Sequence, residues 1–529
     1  MAQNETIQGM FKRLDGLRDA RLKSSEQFAY YTIPSVFPKL ETTDQTIGVG
    51  MLDSVGSMVA NHFSNKLITT LFSPNRPFYR IVPDEQSEEV QMLEEAVESG
   101  DEAKVAQANQ AYDMLRKAFA KTEKKSIKYL ENIGYRTTAT TAAKLLVITG
   151  DTVIRSTNGE RSVAYSMRDY VAKKDMSGND VILIVRDAMA FGSLSEEHQE
   201  LVREAGLKEA KKYDDMTDIT VYTKLSLQAD KRYKVTYGVE AVDLPTDDAG
   251  MVTKDDSPFT HLSWNLSKGE NYGRGLVEDY AGSFHVIDNI TTFQLQMAAK
   301  AADIKIFVDP ASGIDVDELN DSETGTYIAG RPQDVQQGQT GMAQDLQHME
   351  AIIQLHKRQI SSAFLYMKGG VRDAERVTAE EMRQDAAELE IAHGGVYSRF
   401  ASEWQQKVAR ESTKAVGEDM GDVVEPQILT GMDSISRVGE MQAVHQFVQD
   451  IAILQNLPDE ALAILDLKRY AEYSALNRGV EENAFVKTEG QMMAEQQAQQ
   501  EAAQAQVDMQ TNAAVQQEGA KAIAQSQGK

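Results

Sequence analysis

At 529 residues the chain exceeds what one compact core accommodates, and its length suggests about three or four modules or a drawn-out form. A formal net charge of −26 makes the surface as a whole repel nucleic acid and anionic membrane, so any DNA contact has to be local or weak. The absence of cysteine removes disulfides, thiolate metal sites and zinc fingers together and fits a reducing compartment. No apolar run approaches the roughly 20 residues of a membrane span. The N-terminal MAQNETIQGMFKRLDGLRDARLK lacks the unbroken apolar centre of a signal peptide, so the expectation is a soluble, intracellular chain with no membrane partner.

Residues 5–31 carry Ile7, Met10, Phe11, Leu14, Leu17 and Leu22 at helical spacing, which predicts one amphipathic helix ending before Pro34 and Pro38. A second helix is expected over about 51–72, an extended stretch over SPNRPFYRIVP (73–83), and a charged helical region over 85–133. KLLVITGDTVIRS, SVAYSMRDYVAKK and DVILIVRDAMA are β-branched apolar runs parted by Asn158-Gly159 and Ser177-Gly178-Asn179, which predicts a meander of strands. Further strands are expected at 218–227, 232–241 and 259–266.

After Gly275 the pattern changes. Leu276, Tyr280, Phe284, Ile287, Ile290, Phe293, Met297 and Ala301 form one stripe on a helix of about 28 residues, roughly 40 Å long. A second long helix is expected over 342–366, with Met342, Leu346, Met349, Ile353, Ile360 and Phe364 on its stripe. The segment 304–340 between them reads as short strands and turns without room for a substantial core. Such an elongated hairpin finds its burial against neighbouring copies. Residues 378–417 and most of 425–487, with a break at Pro458, read as helical. The Gln/Ala-rich residues 488–529 hold too few large apolar groups to fold alone and are expected to be disordered or to become helical on assembly.

The candidate sites are few. GENYGRGLVE (269–278) has a G-x-G before a helix, but Glu278 stands where a third glycine belongs and would repel phosphate, which favours a helix-entry turn. His348 and His356 are too far apart on a helix to share one metal, so no metal or cofactor is expected. In ERVTAEEMRQDAAELE (375–390), Thr378 and Glu381 form a capping box. A carboxylate-based hydrolase using Glu380, Glu381 or His393 would lack any nucleophile or metal motif, so no catalytic residue is assigned. Lys368, Arg372 and Arg376 are four residues apart and would share a helical face able to touch a phosphate backbone, or else pair with Asp373 and Glu375 in a solvated loop.

Several blocks taken in order resemble the portal, or head-to-tail connector, proteins of short-tailed bacteriophages. They are LFSPNRPFYRI (71–81), GENYGRGLVEDYAGSF (269–284), AAKAADIKIFVDPAS (298–312), AGRPQDV (329–335), AERVTAEEMRQDAAELE (374–390), GGVYSRFASEWQ (394–405) and EPQILTGMDSISRVGEM (425–441). The likeness spans nearly the whole chain, the charged 85–125 segment and the Gln-rich tail being the departures.

The resemblance implies an α+β, mainly helical fold with a wing (1–270), a first stem helix (271–303), a small β-rich clip (304–340), a second stem helix (341–366), a tunnel loop (367–377), a wing or channel helix (378–424), a helical crown (425–487) and a tail (488–529). It implies a homo-oligomeric ring of about twelve subunits at a capsid vertex of the virion, assembled in the host cytoplasm. Double-stranded DNA would pass through the channel, with Lys368, Arg372 and Arg376 as candidate contacts. Tyr280, Phe284, Ile287, Ile353, Ile360 and Phe364 would pack the stem, and Lys305, Phe307 and Arg331 would lie on the clip, where the terminase and then the tail adaptor or tail tube dock. Major capsid and scaffold proteins are the other implied partners, and no enzymatic activity is implied. The alternative role is an internal core or scaffold protein of the virion, which the strand-rich 140–270 region disfavours.

Overall fold

The computed structural model describes residues 5–39, 49–72, 78–83, 91, 102–156, 161–208, 213–245, 250–302, 305–309, 311, 314–321, 331, 333, 335–338, 343–366, 388–389, 391–393, 395–416 and 424–428. All of these fall in one compact unit. Its first helices are not the single rod expected: α1 (Ile7–Gly16) and α2 (Asp19–Tyr31) are parted by a turn at Leu17 and Arg18. Thr6 fixes the start of α1 by accepting from the Gly9 N–H. The break buries Arg18 over Tyr272, its guanidinium 5.4 Å from the ring centre, and turns Leu17 out to 78% exposure. The cation–π contact and the ion pair to Asp15 thus win over continuing the stripe.

Next come α3 (Val55–Leu71), β1 (Tyr79–Pro83), α4 (Glu102–Asn132) and α5 (Tyr135–Thr149). The run 144–149, expected as a strand, is the last part of α5. Leu145, Leu146, Val147 and Ile148 are all buried, so no polar face marks a helical period there, and the β-branched pair imitates a strand. Gly150, at φ +90°, ends the helix, and β2 (Asp151–Arg155) begins at once.

The strands β3 (Val163–Tyr165), β4 (Tyr170–Lys174) and β5 (Asp180–Ala190) follow as expected, then a helix the pattern did not announce, α6 (Glu196–Lys208). Four more strands come next, β6 (Asp218–Leu227), β7 (Tyr233–Val239), β8 (Val242–Asp243) and β9 (Gly250–Val252). These build an antiparallel sheet in the order β4-β5-β6-β7-β8, with β9 also on β7. Tyr170, Ala172, Leu183, Val185 and Leu225 point into the main core, while Val171, Ile184 and Tyr222 point the other way, onto Ile7 and Phe11 of α1. Burial on both faces explains why VILIV reads as a continuous apolar run rather than an alternating one. A second sheet sets β10 (Phe259–Ser263) beside β2, and β2 beside β3.

The long helix predicted after Gly275 is interrupted at Tyr280, giving α7 (Leu276–Asp279) and α8 (Ala281–Ala302). Then come β11 (Lys305–Val308), the short α9 (Val316–Asp321), β12 (Val335–Gly338) and α10 (Ala343–Ala363). Of 378–417, the described part is helical at its end: α11 (Val396–Phe400) runs through a π-turn (Ala401–Gln405) into α12 (Gln406–Ala415). The described part of 425–487 is not helical but belongs to β13 (Val424–Ile428), which pairs antiparallel with β1 from Tyr79 opposite Ile428 to Pro83 opposite Val424. The strand fits because Ile428 packs on the core where Tyr79 and Ile81 are buried. The Thr378–Glu381 capping box and the remainder of 425–529 lie outside the described residues.

Gly150, Gly273 and Gly275 bring two backbones together. A Cβ on Gly275 would meet the carbonyl oxygens of Val147 and Ile148 at 2.7 and 2.9 Å, and one on Gly150 would meet the nitrogen of Gly275 at 2.3 Å. GENYGRG therefore crosses the end of α5 at a spacing only glycine permits. Gly275→Ala is expected to destabilise the fold by about 1–3 kcal/mol, the range for overpacking. Thermal denaturation checks this; an unchanged melting temperature would mean the two backbones can part without cost.

Candidate functional site: a helical hairpin and its buried charged seat

Helices α8 and α10 pair antiparallel. Ser283 lies 3.2 Å from Nδ1 of His356, and Gln294 donates to Glu350 at 3.3 Å. The pairing continues into a two-stranded ribbon in which Lys305 faces Gly338 and Phe307 faces Gln336. The candidate packing residues Phe284, Ile287, Ile353, Ile360 and Phe364 are buried, and Tyr280 is partly so. Their cover is this chain itself. Phe284 stacks on Tyr31 at 6.1 Å, Phe364 stands edge-on to Phe63 at 5.9 Å, and Tyr280 is 6.0 Å from Phe364. Lys357 of α10 adds a 2.6 Å ion pair to Asp53.

The apolar groups left uncovered lie on the helix faces turned away from this seat. Phe293, Leu295, Ile352 and Leu355 are 56, 55, 42 and 53% exposed, and Phe307 on the ribbon is 62% exposed. Leu295, Ile352 and Leu355 stand off the stripes, which is why periodicity passed over them. Arg331 is exposed, and Lys305 is placed by its backbone in the strand.

At its far end α10 closes with Tyr366 N–H donating to Ser361 O and Leu365 N–H to Ser362 O, the double bond of a Schellman motif. Leu365 holds the position glycine usually takes, at φ +53°. Lys368, Arg372 and Arg376 lie outside the described residues.

The hairpin leaves its seat through a network that sequence reading missed. The carboxylate of Asp151 is fully buried and accepts four hydrogen bonds. They come from the Tyr170 hydroxyl at 2.5 Å, His261 Nε2 at 2.5 Å, the Ser263 hydroxyl at 2.7 Å and the Gly273 N–H at 2.7 Å. His261 Nδ1 lies 2.8 and 2.9 Å from the two oxygens of Asp180. With a carboxylate on each side, both ring nitrogens donate and the ring is an imidazolium. Burial opposes that charge, but Asp180 and Asp151 outweigh it and push His261 up to about 9. Burial likewise opposes ionisation of Asp151, and His261 outweighs it, holding the carboxyl down at about 2. Arg21 completes the seat by donating to Thr149 O at 3.0 Å and to Gly273 O and Glu278 at 2.5 Å each.

An Asp–His–Asp line suggests acid–base chemistry, but here it has no free end. Both imidazole nitrogens are engaged, and the Ser263 hydroxyl donates to Asp151 instead of meeting the ring. The network joins β2, β4, β5 and β10 to the glycine segment from which the hairpin departs. His393, the other histidine considered, sits edge-on to Phe63 at 4.9 Å and near Trp264 at 5.7 Å, and burial lowers its pKa. Glu380 and Glu381 lie outside the described residues. Among the described residues no group of three His, Asp or Glu side chains is arranged to hold a metal ion, and no helix is long and apolar enough to cross a membrane.

The family profile described as "Bacteriophage head to tail connecting protein" matches residues 4–486. The chain belongs to this connector family. It is 29% identical to the portal protein of Enterobacteria phage SP6 over 510 residues, covering 94% of each chain. To the portal protein of Escherichia phage T7 it is 28% identical over 515 residues, 94% of this connector and 90% of the T7 chain. A solved structure described as "Neck of empty GTA particle computed with C6 symmetry" covers 81% of this chain and 90% of that one at 11% identity and a TM-score of 0.36.

The connector's seat has a pH signature. The folded pKa of His261 lies above the ordinary 6.5, so its contribution is complete below that value and is lost as pH rises through about 9. The amount is on the order of 3 kcal/mol. Urea denaturation of the unaltered chain and of a His261 variant at pH 7 and pH 10 is expected to show that loss as the difference between their pH dependences, since the opposite contribution of Lys407, drawn down to about 8, is common to both. His261→Gln is expected to start about 3 kcal/mol lower at pH 7, because it leaves Asp151 buried without a counter-charge, and to lose less on going to pH 10. Equal pH slopes in the two chains would contradict the assignment.

Proposed function

We propose that this connector is a portal protein: a ring of about twelve copies at one capsid vertex. It would pass double-stranded DNA inward during packaging and outward at ejection, with no catalysis of its own. The ribbon at the hairpin tip, with Lys305, Phe307 and Arg331, would receive the terminase motor and later the tail adaptor or tube. The remainder of the ring would meet major capsid and scaffold proteins.

The observation that carries this reading is the two-sided hairpin. One side of it is buried by the chain's own core, while Phe293, Leu295, Ile352 and Leu355 remain in water. Exposed apolar groups of that size on a rigid helix pair call for a protein partner. In a closed ring each subunit supplies one to the next. The likeness to the SP6 and T7 portal proteins over nearly their whole length supports the same reading.

The electrostatics fit a conduit. Each phosphate a protein neutralises adds affinity through counterion release, and affinity along a channel is friction. A chain of net charge −26 that repeats a few cations, Lys368, Arg372 and Arg376, around a ring would guide a polyanion without trapping it.

Negative-stain imaging and native mass spectrometry of the purified chain test the ring. Rings are expected for the unaltered protein, while Leu295→Glu with Leu355→Glu is expected to give folded subunits, with an unchanged melting transition, that no longer close. Monomers alone from the unaltered chain would count against the portal reading. Lys368→Ala with Arg372→Ala is expected to leave rings intact and to change the length of DNA packaged or retained in virions. Identical genome content in that variant would remove the loop from the DNA path.

A further inference from the structure

On the sheet side of α12 lies a cavity of about 440 Å³, walled by β10, the turn between β4 and β5, and the α11–α12 segment. Its charge is opposite in sign to that of the chain. Five lysine and arginine side chains and His261 line it, against three carboxylates, in a protein of net charge −26.

The lining cations are held in an unusual way. Lys407 is only 8% exposed, and its ammonium donates to the Phe259 carbonyl at 2.7 Å. Among the described residues no carboxylate forms an ion pair with it. Burial draws its pKa down to about 8, outweighing the opposing pull of Glu411, Asp255 and Asp256. Arg399 is anchored by donating to the carbonyls of Ser263 and Trp264 at 2.5 Å each, and its Nε, which makes no hydrogen bond, lies 3.8 Å from Glu403. The edge of β10 and the residue after it therefore pin two positive groups on the wall. Lys174, its side chain also buried, donates to the Ser263 hydroxyl at 3.1 Å beside them and lies 3.9 Å from Asp180. Arg410 is paired with Asp255 toward the rim.

A buried ammonium with one carbonyl partner is costly, because a carbonyl dipole replaces only part of the hydration lost. An oxyanion in the cavity would supply the missing counter-charge and accept the remaining N–H groups. The volume admits a phosphate ion or a mononucleotide and excludes a duplex. We propose that this cavity is a binding site for a small phosphate-class oxyanion, held chiefly by Lys407 and Arg399. The proposal is independent of the portal reading, since it concerns a pocket in the sheet-bearing part of the subunit and not the hairpin.

The test is isothermal titration of the full-length chain in an oxyanion-free buffer at pH 7. Inorganic phosphate and dAMP are the two probes, with sodium chloride of equal ionic strength as control. Saturable binding at one site per chain is expected, with a rise in melting temperature that chloride does not give. Equal affinity for the two probes assigns the free ion, and tighter dAMP binding assigns a nucleotide phosphate. Lys407→Met is expected to weaken binding at least tenfold while raising the melting temperature of the anion-free protein, since it removes a buried, poorly compensated charge. If that variant does not fold, Arg410→Gln at the rim serves instead and is expected to weaken binding about threefold, in line with losing one partly exposed charge. No saturable binding of either probe, or unchanged affinity in the folded variant, overturns the proposal.

Discussion

One buried carboxylate sets the terms for this subunit. Asp151 has no water to turn to, so its charge survives only because a hydroxyl from β4, a hydroxyl and an imidazolium from β10 and a backbone N–H from the glycine segment converge on it. A buried ion pair of this kind is weak evidence for stability as such, since well-packed apolar residues could do as well. Its geometric demand is the useful part. The donors come from separate strands and a loop, and each must be in register for the network to close. The direction in which α7 and α8 leave the sheet is therefore fixed by charge, and the glycine contact beneath α5 fixes their distance.

On that seat the hairpin divides into two chemically different parts. Near the sheet, Phe284, Phe364, Tyr31 and Phe63 interlock as they would in any domain core. Elsewhere along α8 and α10, large aliphatic groups stand in water. A charge placed at Phe284 would damage folding, whereas one placed at the exposed Leu295 would leave the fold of the subunit intact. Of the stripes expected to face neighbouring copies, Phe284, Ile287, Ile353, Ile360 and Phe364 are buried within this chain and Phe293 is exposed.

Much of the fold is legible in the amino-acid order where one period dominates. The strands β4 to β7 and both hairpin helices lie close to where alternation or helical spacing puts them. Reading fails where burial erases the period, as in α5, whose apolar end resembles a strand because every side of it is covered. It fails again where a side-chain contact overrides local preference, as at Arg18, which breaks the first helix to reach Tyr272. The polar seat left little trace. Asp151 follows a glycine, His261 lies in an ordinary strand, Asp180 follows a turn, and only the sheet register brings them together. Nothing in the spacing of Lys407 and Arg399 announces a cavity either, because their neighbours there are carbonyls of a strand more than a hundred positions away.

The segment 395–416 carries a consequence for how the chain comes into being. Its Gln405 bonds the carbonyl of Leu71, 334 positions earlier, and its Trp404 donates to the Tyr135 hydroxyl. β13, a few residues on, supplies the partner of β1. On a ribosome, the groove between α3 and α5 stands open until more than four hundred residues have been made. Among the described residues the closing contacts of Gln405 and β13 are among the most distant in sequence, and contacts of that kind form after the local ones. The groove is therefore filled only once residues up to Ile428 have been made, and a nascent connector carries it unfilled until then.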